Sequence, residues 1–234
     1  MNVTPKERLD QVRESIREAE SRYYRSPGSV RLIGVAKVHS AASIRHLVEL
    51  GLADIGESFV QEALSKQKEL KDLDITWHYI GHIQSNKTKD IAVHFDWVHS
   101  VDRIKIARRL SEQRPEESPD LDICLQVNLQ HEPSKSGLSE FEVYAAADEI
   151  QDLPRIRLRG LMAIPRESED FDEQREAFAR VRSLQEALVR RGHPLDTLSM
   201  GMSGDVEAAI AEGATMVRIG TALFGPRPTR TETD

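Results

Sequence analysis

Eight short apolar runs, each followed by a stretch with helical spacing, recur between Arg31 and Ile219, and this alternation decides what the chain can become. The runs lie at 31–37, 53–55, 75–80, 95–99, 121–128, 156–162, 197–199 and 215–219. Leu32, Ile33, Val35 and Ala36 typify them: near-continuous apolar residues with β-branched members, bounded by a Pro27-Gly28-Ser29 turn. Such runs read as strands buried on both faces, which parallel sheets require. Helical spacing follows at 57–70, 84–93 and 139–151, with Ser40 and Asp102 as expected N-caps and Gly51, Gly192 and Gly213 as stops. Eight strands alternating with helices predict a closed parallel (β/α)8 TIM-type barrel, not an open doubly wound sheet.

The length suits one such barrel: 234 residues, with 1–225 expected as a single domain and 226–234 as a polar tail. Thr4-Pro5-Lys6-Glu7 is a capping box with proline at the first helical position. Leu9, Val12, Ile16, Ala19 and Tyr23 share a face, giving a helix to about residue 24. This helix is expected to fill the outer position that nothing after the eighth strand supplies. A net charge of −7 argues against nucleic-acid and anionic-membrane partners, leaving room for a local phosphate pocket. The single cysteine, Cys124, excludes an intrachain disulfide, lies inside a strand, and fits a reducing, cytoplasmic setting. No apolar run approaches membrane-spanning length.

The working face of a barrel carries the loops that follow each strand. Lys37 stands where the first strand runs out, with an apolar wall behind it. An amine in such a place becomes a better nucleophile toward aldehydes, because desolvation disfavours its charged form. Two later loops have the composition of a phosphate cradle. Met200-Gly201-Met202-Ser203-Gly204-Asp205 leads into a helix, and Arg218-Ile219-Gly220-Thr221 follows the eighth strand. Small residues let the backbone close on an anion, and helix starts offer free N–H groups. Barrel closure makes the first and eighth strands neighbours. A lysine amine, a phosphate cradle and an arginine at one mouth suit pyridoxal 5′-phosphate. Lys37 is expected to form the imine, Ser203, Gly204, Gly220 and Thr221 to hold the phosphate, and Arg218 to face the pyridine nitrogen. An arginine keeps its proton, so the ring nitrogen stays unprotonated and the ring is a weak electron sink.

Seven stretches carry a specific resemblance, in order along the chain: Val35-Ala36-Lys37, Gly56-Glu57-Ser58-Phe59-Val60-Gln61-Glu62, the run from Trp77 to Lys87, Ser134-Lys135-Ser136-Gly137, Arg159-Gly160-Leu161-Met162, Leu198-Ser199-Met200-Gly201-Met202-Ser203 and Val217-Arg218-Ile219-Gly220-Thr221. The chain resembles the YggS/PROSC family of pyridoxal phosphate homeostasis proteins from about residue 5 to Gly225. The resemblance implies a single barrel like the alanine racemase N-terminal domain (PLP fold-type III), without the second β domain. It implies the cofactor on Lys37 and a role in vitamin B6 balance, with no established catalytic reaction. One departure stands out: that family usually has Gly-Glu-Asn-Tyr where this chain has Gly56-Glu57-Ser58-Phe59, which removes an amide and a phenol.

The leading expectation is a protein that holds pyridoxal phosphate, limits free aldehyde and passes it to apo-enzymes in transient contacts, as a monomer. Its rival is an amino-acid racemase, which needs a second base opposite the lysine; the length leaves no room for the domain that supplies one. A phosphosugar enzyme would need a base at the mouth, for which Glu57 or His82 could serve. His78 and His82 stand four apart, but no further ligand completes a metal set. Lys135, in the loop after the fifth strand, reads as an exposed lysine or as a second aldehyde acceptor.

Overall fold

The structure, a computed structural model, describes residues 3–128 and 136–226. Parallel strands close into a barrel in sequence order, β1 pairing with both β2 and β8. They are β1 (Arg31–Val35), β2 (Asp54–Glu57), β3 (Thr76–Tyr79), β4 (Trp97–Val101), β5 (Leu121–Val127), β6 (Ile156–Ala163), β7 (Thr197–Ser199) and β8 (Met216–Ile219). Outside run α2 (Ala41–Glu49), α3 (Val60–Glu69), α4 (Thr88–His94), α5 (Ile104–Gln113), α6 (Glu140–Ile150), α7 (Phe171–Arg190) and α8 (Val206–Ala211). The expected barrel is therefore the observed one.

Helix α1 (Pro5–Arg22) begins at the expected capping box. The Glu7 N–H donates to the Thr4 hydroxyl at 3.2 Å, and the Thr4 N–H donates to the Glu7 carboxylate at 2.7 Å. Its buried face, Leu9, Val12, Ile16 and Ala19, packs on α2, on α8 and on α9 (Thr221–Phe224), a single turn after β8. The N-terminal helix thus covers the seam between β8 and β1. Helix α9 escapes sequence reading because one turn with one buried residue, Leu223, shows no periodicity.

Several boundaries differ from expectation, β4 (Trp97–Val101) among them with its run expected at 95–99, and two differences matter for the mouth. Strand β1 ends at Val35, so Lys37 lies in the following turn. Strand β2 runs on to Glu57 and α3 begins only at Val60, which moves Glu57 from a helix start into the barrel wall. The 84–93 stretch divides into a 3-10 turn (Ser85–Lys87) and α4. Asp102 caps nothing: α5 has Arg103 as its N-cap without a side-chain bond, and Asp102 pairs with the Arg103 guanidinium at 2.9 Å instead.

Alternation along each strand sorts the side chains into two cores. Ile55, Val98 and Ile123 face outward into the layer shared with Ile44, Ile106 and Phe178 of the helices. Ile33, Trp97, Cys124, Met162 and Met216 fill the lumen. Cys124 is fully buried, and desolvation pushes its thiol well above the ordinary range, so no thiolate forms at neutral pH. Below this plug, at the N-terminal ends of the strands, Arg157 and Arg159 pair with Asp122 at 2.8 and 2.9 Å. Arg159 also pairs with Asp196 at 2.5 Å, and its guanidinium lies 5.0 Å from the centre of the Trp97 ring. Among the described residues no helix is long and apolar enough to cross a membrane.

Candidate functional site at the barrel mouth

The seam between β1 and β8 brings the lysine and the last loop together. Gly34 lies opposite Ile219, so both chains leave the sheet side by side. A Cβ on Gly220 would touch Val35 at 3.6 Å, and the His39 ring stacks on Phe224 with centroids 4.9 Å apart. Lys37 is half-buried in the Ala36–His39 turn, which the His39 N–H closes by donating to the Ala36 carbonyl at 3.0 Å.

The loop after β7 opens on the same rim. Gly201 takes φ +99°, and any Cβ there would come within 2.7 Å of Ala209. The Arg218 N–H donates to the Gly201 carbonyl at 2.9 Å and stitches the loop to β8. Beside Gly204 there is open space, with nothing within 4 Å of where a Cβ would stand. The Asp205 carboxylate accepts the Met202 N–H at 2.5 Å, and burial raises its carboxyl above the usual range. The N–H groups of Ser203, Gly204, Thr221 and Ala222 donate to no acceptor among the described residues. Free amides in a small-residue loop and at a helix start, with room beside them, are what a phosphate group needs. The residues present therefore fit an anionic group, with one carboxylate nearby turned aside onto a backbone amide.

Arg218 lies under the rim, only 4% exposed. Its guanidinium donates to the Ser199 carbonyl at 2.6 Å, the Ser199 hydroxyl at 2.8 Å and the Ala163 carbonyl at 3.0 Å. Desolvation lowers its pKa to about 10, opposed chiefly by the Asp205 charge, so it remains a cation at neutral pH. The polar chain continues down the lumen. Ser199 Oγ is 2.7 Å from His99 Nδ1, His99 Nε2 is 2.9 Å from His78 Nδ1, and His78 Nε2 is 2.9 Å from Asp54 Oδ1. Burial holds both imidazoles below their usual range, so both are neutral. The acidic end then fixes every proton: His78 donates to Asp54, His99 to His78, Ser199 to His99, and Arg218 to Ser199. Each member is satisfied in one direction only, which anchors Arg218 in its place.

Beneath the Lys37 turn sits a second polar group that sequence reasoning missed. Lys66 Nζ donates to Glu57 at 2.6 Å, to Glu62 at 2.5 Å and to the Ala36 carbonyl at 2.8 Å. Glu57 is fully buried, desolvation raises its pKa to about 7, and its Oε2 has no partner among the described residues. Lys66 and Glu62 stand four apart on α3, a spacing that in sequence reads as an ordinary surface pair. Nothing local marks Lys66 as buried.

Glu57 is thus a wall residue held by Lys66 and not an open base at the mouth, as the phosphosugar alternative would need. His82 is on the rim, its Nδ1 3.3 Å from the Ser136 hydroxyl and 3.7 Å from Asp102. Both contacts fall on one nitrogen. His78 lies in the lumen, so the two histidines do not converge. The structure brings the loops of Lys37, Ser203, Gly204, Gly220 and Thr221 to one rim, with Arg218 beneath; Lys135 lies outside the described residues. At the end of β3, the Tyr79 hydroxyl donates to the carbonyls of Ser58 at 3.3 Å and His82 at 3.0 Å. Gly81 packs so closely on Ser58 that a Cβ would lie 2.2 Å from its carbonyl oxygen. Phe59 projects outward, 56% exposed.

Fold and mouth together define a barrel of one class: the family described as alanine racemase, N-terminal domain, matches residues 8–228. A pyridoxal phosphate homeostasis protein of Pseudomonas aeruginosa is 55% identical over 221 residues, covering 94% of this chain and 95% of the relative. The protein of the same name from Escherichia coli is 45% identical over 222 residues, covering 94% and 95%. The solved structure of PipY from Synechococcus elongatus, with PLP bound, superposes with a TM-score of 0.85 at 39% identity, covering 95% of this chain and all of that one. The chain belongs to the pyridoxal phosphate homeostasis protein family.

Proposed function

We propose that the chain binds pyridoxal 5′-phosphate at the barrel mouth, covalently through Lys37, and serves vitamin B6 homeostasis by holding and releasing the cofactor. The cofactor supplies an aldehyde that condenses with a primary amine. Lys37 offers that amine at the rim. Ser203, Gly204, Gly220 and Thr221 offer backbone and hydroxyl donors to the phosphate, and Arg218 donates toward the pyridine nitrogen. The observation that carries the reading is the meeting, at the β1–β8 seam, of the Lys37 turn with a loop whose Thr221 and Ala222 N–H groups have no acceptor among the described residues. Relatives named for pyridoxal phosphate homeostasis, and a neighbour solved with PLP bound, support the same assignment.

We infer that the protein holds its ligand without turning it over. Arg218 is anchored by neutral oxygens and keeps its proton, so it cannot protonate the ring it faces, and carbanion chemistry gains little from such a ring. The single barrel over 1–225 is proposed as the whole binding unit, acting as a monomer in the cytoplasm and meeting apo-enzymes transiently. Purified protein is expected to turn yellow with pyridoxal phosphate and, after borohydride, to carry one added cofactor mass on the peptide containing Lys37. Lys37→Ala should lose that mass. An adduct elsewhere, or measurable racemisation of D- or L-alanine, would overturn the reading.

A further inference from the structure

The turn that carries Lys37 is held in a conformation its own residues disfavour. The His39-to-Ala36 hydrogen bond makes Lys37 the second and Val38 the third residue of a four-residue turn. Val38 has φ +65°, the left-handed value that type II turns require at that position and that glycine or asparagine ordinarily supplies. A β-branched residue there is strained, and the relaxed alternative is a flip of the Lys37–Val38 peptide into a type I turn. That flip would reverse the N–H of Val38 and change ψ of Lys37.

Two contacts oppose the flip, and both come from one helix. The Val38 N–H donates to Glu62 Oε1 at 2.7 Å. Lys66, one turn further along α3, donates to the same Glu62 oxygen and to the Ala36 carbonyl. The peptide groups before and after Lys37 are therefore both gripped, one by a cation and the other by the anion that cation holds. Lys66 is itself 6% exposed and anchored from below by Glu57. Backbone strain beside a reactive side chain, kept by a charged cluster that grips the peptides on both sides of it, marks a device for aiming that side chain.

We propose that Lys66 and Glu62 are positioning residues for Lys37: they lock its turn in the strained form that presents the amine to the aldehyde of the bound cofactor. The inference rests on the assignment of Lys37 as the attachment residue. Neither Lys66 nor Glu62 enters a bond-making step. Ligand held by the phosphate cradle alone should be indifferent to them, because the cradle lies on β7 and β8.

The test compares Glu62→Ala, Glu62→Gln and Lys66→Met with the intact protein. Formation of the covalent adduct with pyridoxal phosphate, followed by stopped-flow absorbance, should slow tenfold or more in Glu62→Ala and Lys66→Met. Glu62→Gln keeps an oxygen for the Val38 N–H and should recover most of the rate. Non-covalent binding, measured by equilibrium dialysis in a Lys37→Ala background, should change less than twofold when either substitution is added. In protein without cofactor, hydrogen exchange at the Val38 amide should accelerate tenfold or more in Glu62→Ala and Lys66→Met, read by NMR. Should Lys66→Met fail to fold, the partly exposed Glu62 carries the test alone. Wild-type adduct rates in Glu62→Ala, or equal losses in Glu62→Ala and Glu62→Gln, would overturn the proposal. If borohydride fixes nothing on Lys37 in the intact protein, the attachment assignment fails instead, and protection of the Val38 amide still reports on the lock.

Discussion

The two ends of the barrel treat charge in opposite ways. At the floor, Arg157 and Arg159 each meet a carboxylate, and Asp122 serves both. At the mouth, among the described residues, Arg218 donates to carbonyl and hydroxyl oxygens alone, and nearby backbone N–H groups have no acceptor. A closed floor adds to stability and needs nothing further. A mouth with an anchored cation and unused donors gains when an anion arrives. The lumen between them joins the ends through His99 and His78, so Arg218 is fixed by the same chain that ends at Asp54. The proposed site thus lies at the end whose polar groups have the fewer partners among the described residues.

If this contrast is right, arginines at the two ends should fail differently. Arg218→Met should weaken pyridoxal phosphate binding roughly 10–100-fold, the loss of charged hydrogen bonds worth about 1.5–3 kcal/mol. Equilibrium dialysis measures it, and an unchanged affinity would erase the distinction. Asp122→Asn should do the reverse, lowering stability by about 1–3 kcal/mol in denaturant unfolding while leaving binding within twofold. A smaller effect concerns Glu57, whose folded pKa stands near 7 against an ordinary 4.5. Raised in the folded state, it contributes stability that is full below pH 4.5 and lost as pH rises through about 7. The stability of the cofactor-free protein should therefore fall relative to Glu57→Gln across that window, by about 1.4 kcal/mol per pH unit at most. A parallel pH profile for the two proteins would count against a buried, ionising Glu57. The mildest expectation is Ser203→Ala, which removes one hydroxyl donor and leaves the amides: a loss of about two- to tenfold in affinity.

Much of the fold was legible because its rules are local or periodic. Alternating strands and helices, the capping box at Thr4 and the stops at Gly51 and Gly192 are written in neighbouring residues, and the structure repeats them. Errors fell where a tertiary partner overrides a local signal. Glu57 reads as a helix-start carboxylate, yet pairing of β2 with β3 carries the strand through it and Lys66 makes its burial tolerable. Asp102 is a local exception: it reads as a cap, yet it pairs with its own neighbour Arg103. The candidate site was legible as composition: a lysine after one strand and small-residue loops after two others.

By itself, the sequence determined that there would be a barrel, which of its ends carries the loops, and that Lys37, Ser203 and Thr221 lie on that end. Only the tertiary structure decided how those groups are held. Lys66 and Glu62 grip the Lys37 turn across the gap between α3 and β1, and Ser199, His99 and His78 align behind Arg218 from separate strands. A pattern of neighbours encodes period and turn, whereas a hydrogen bond between residues a hundred positions apart exists only after the barrel has closed.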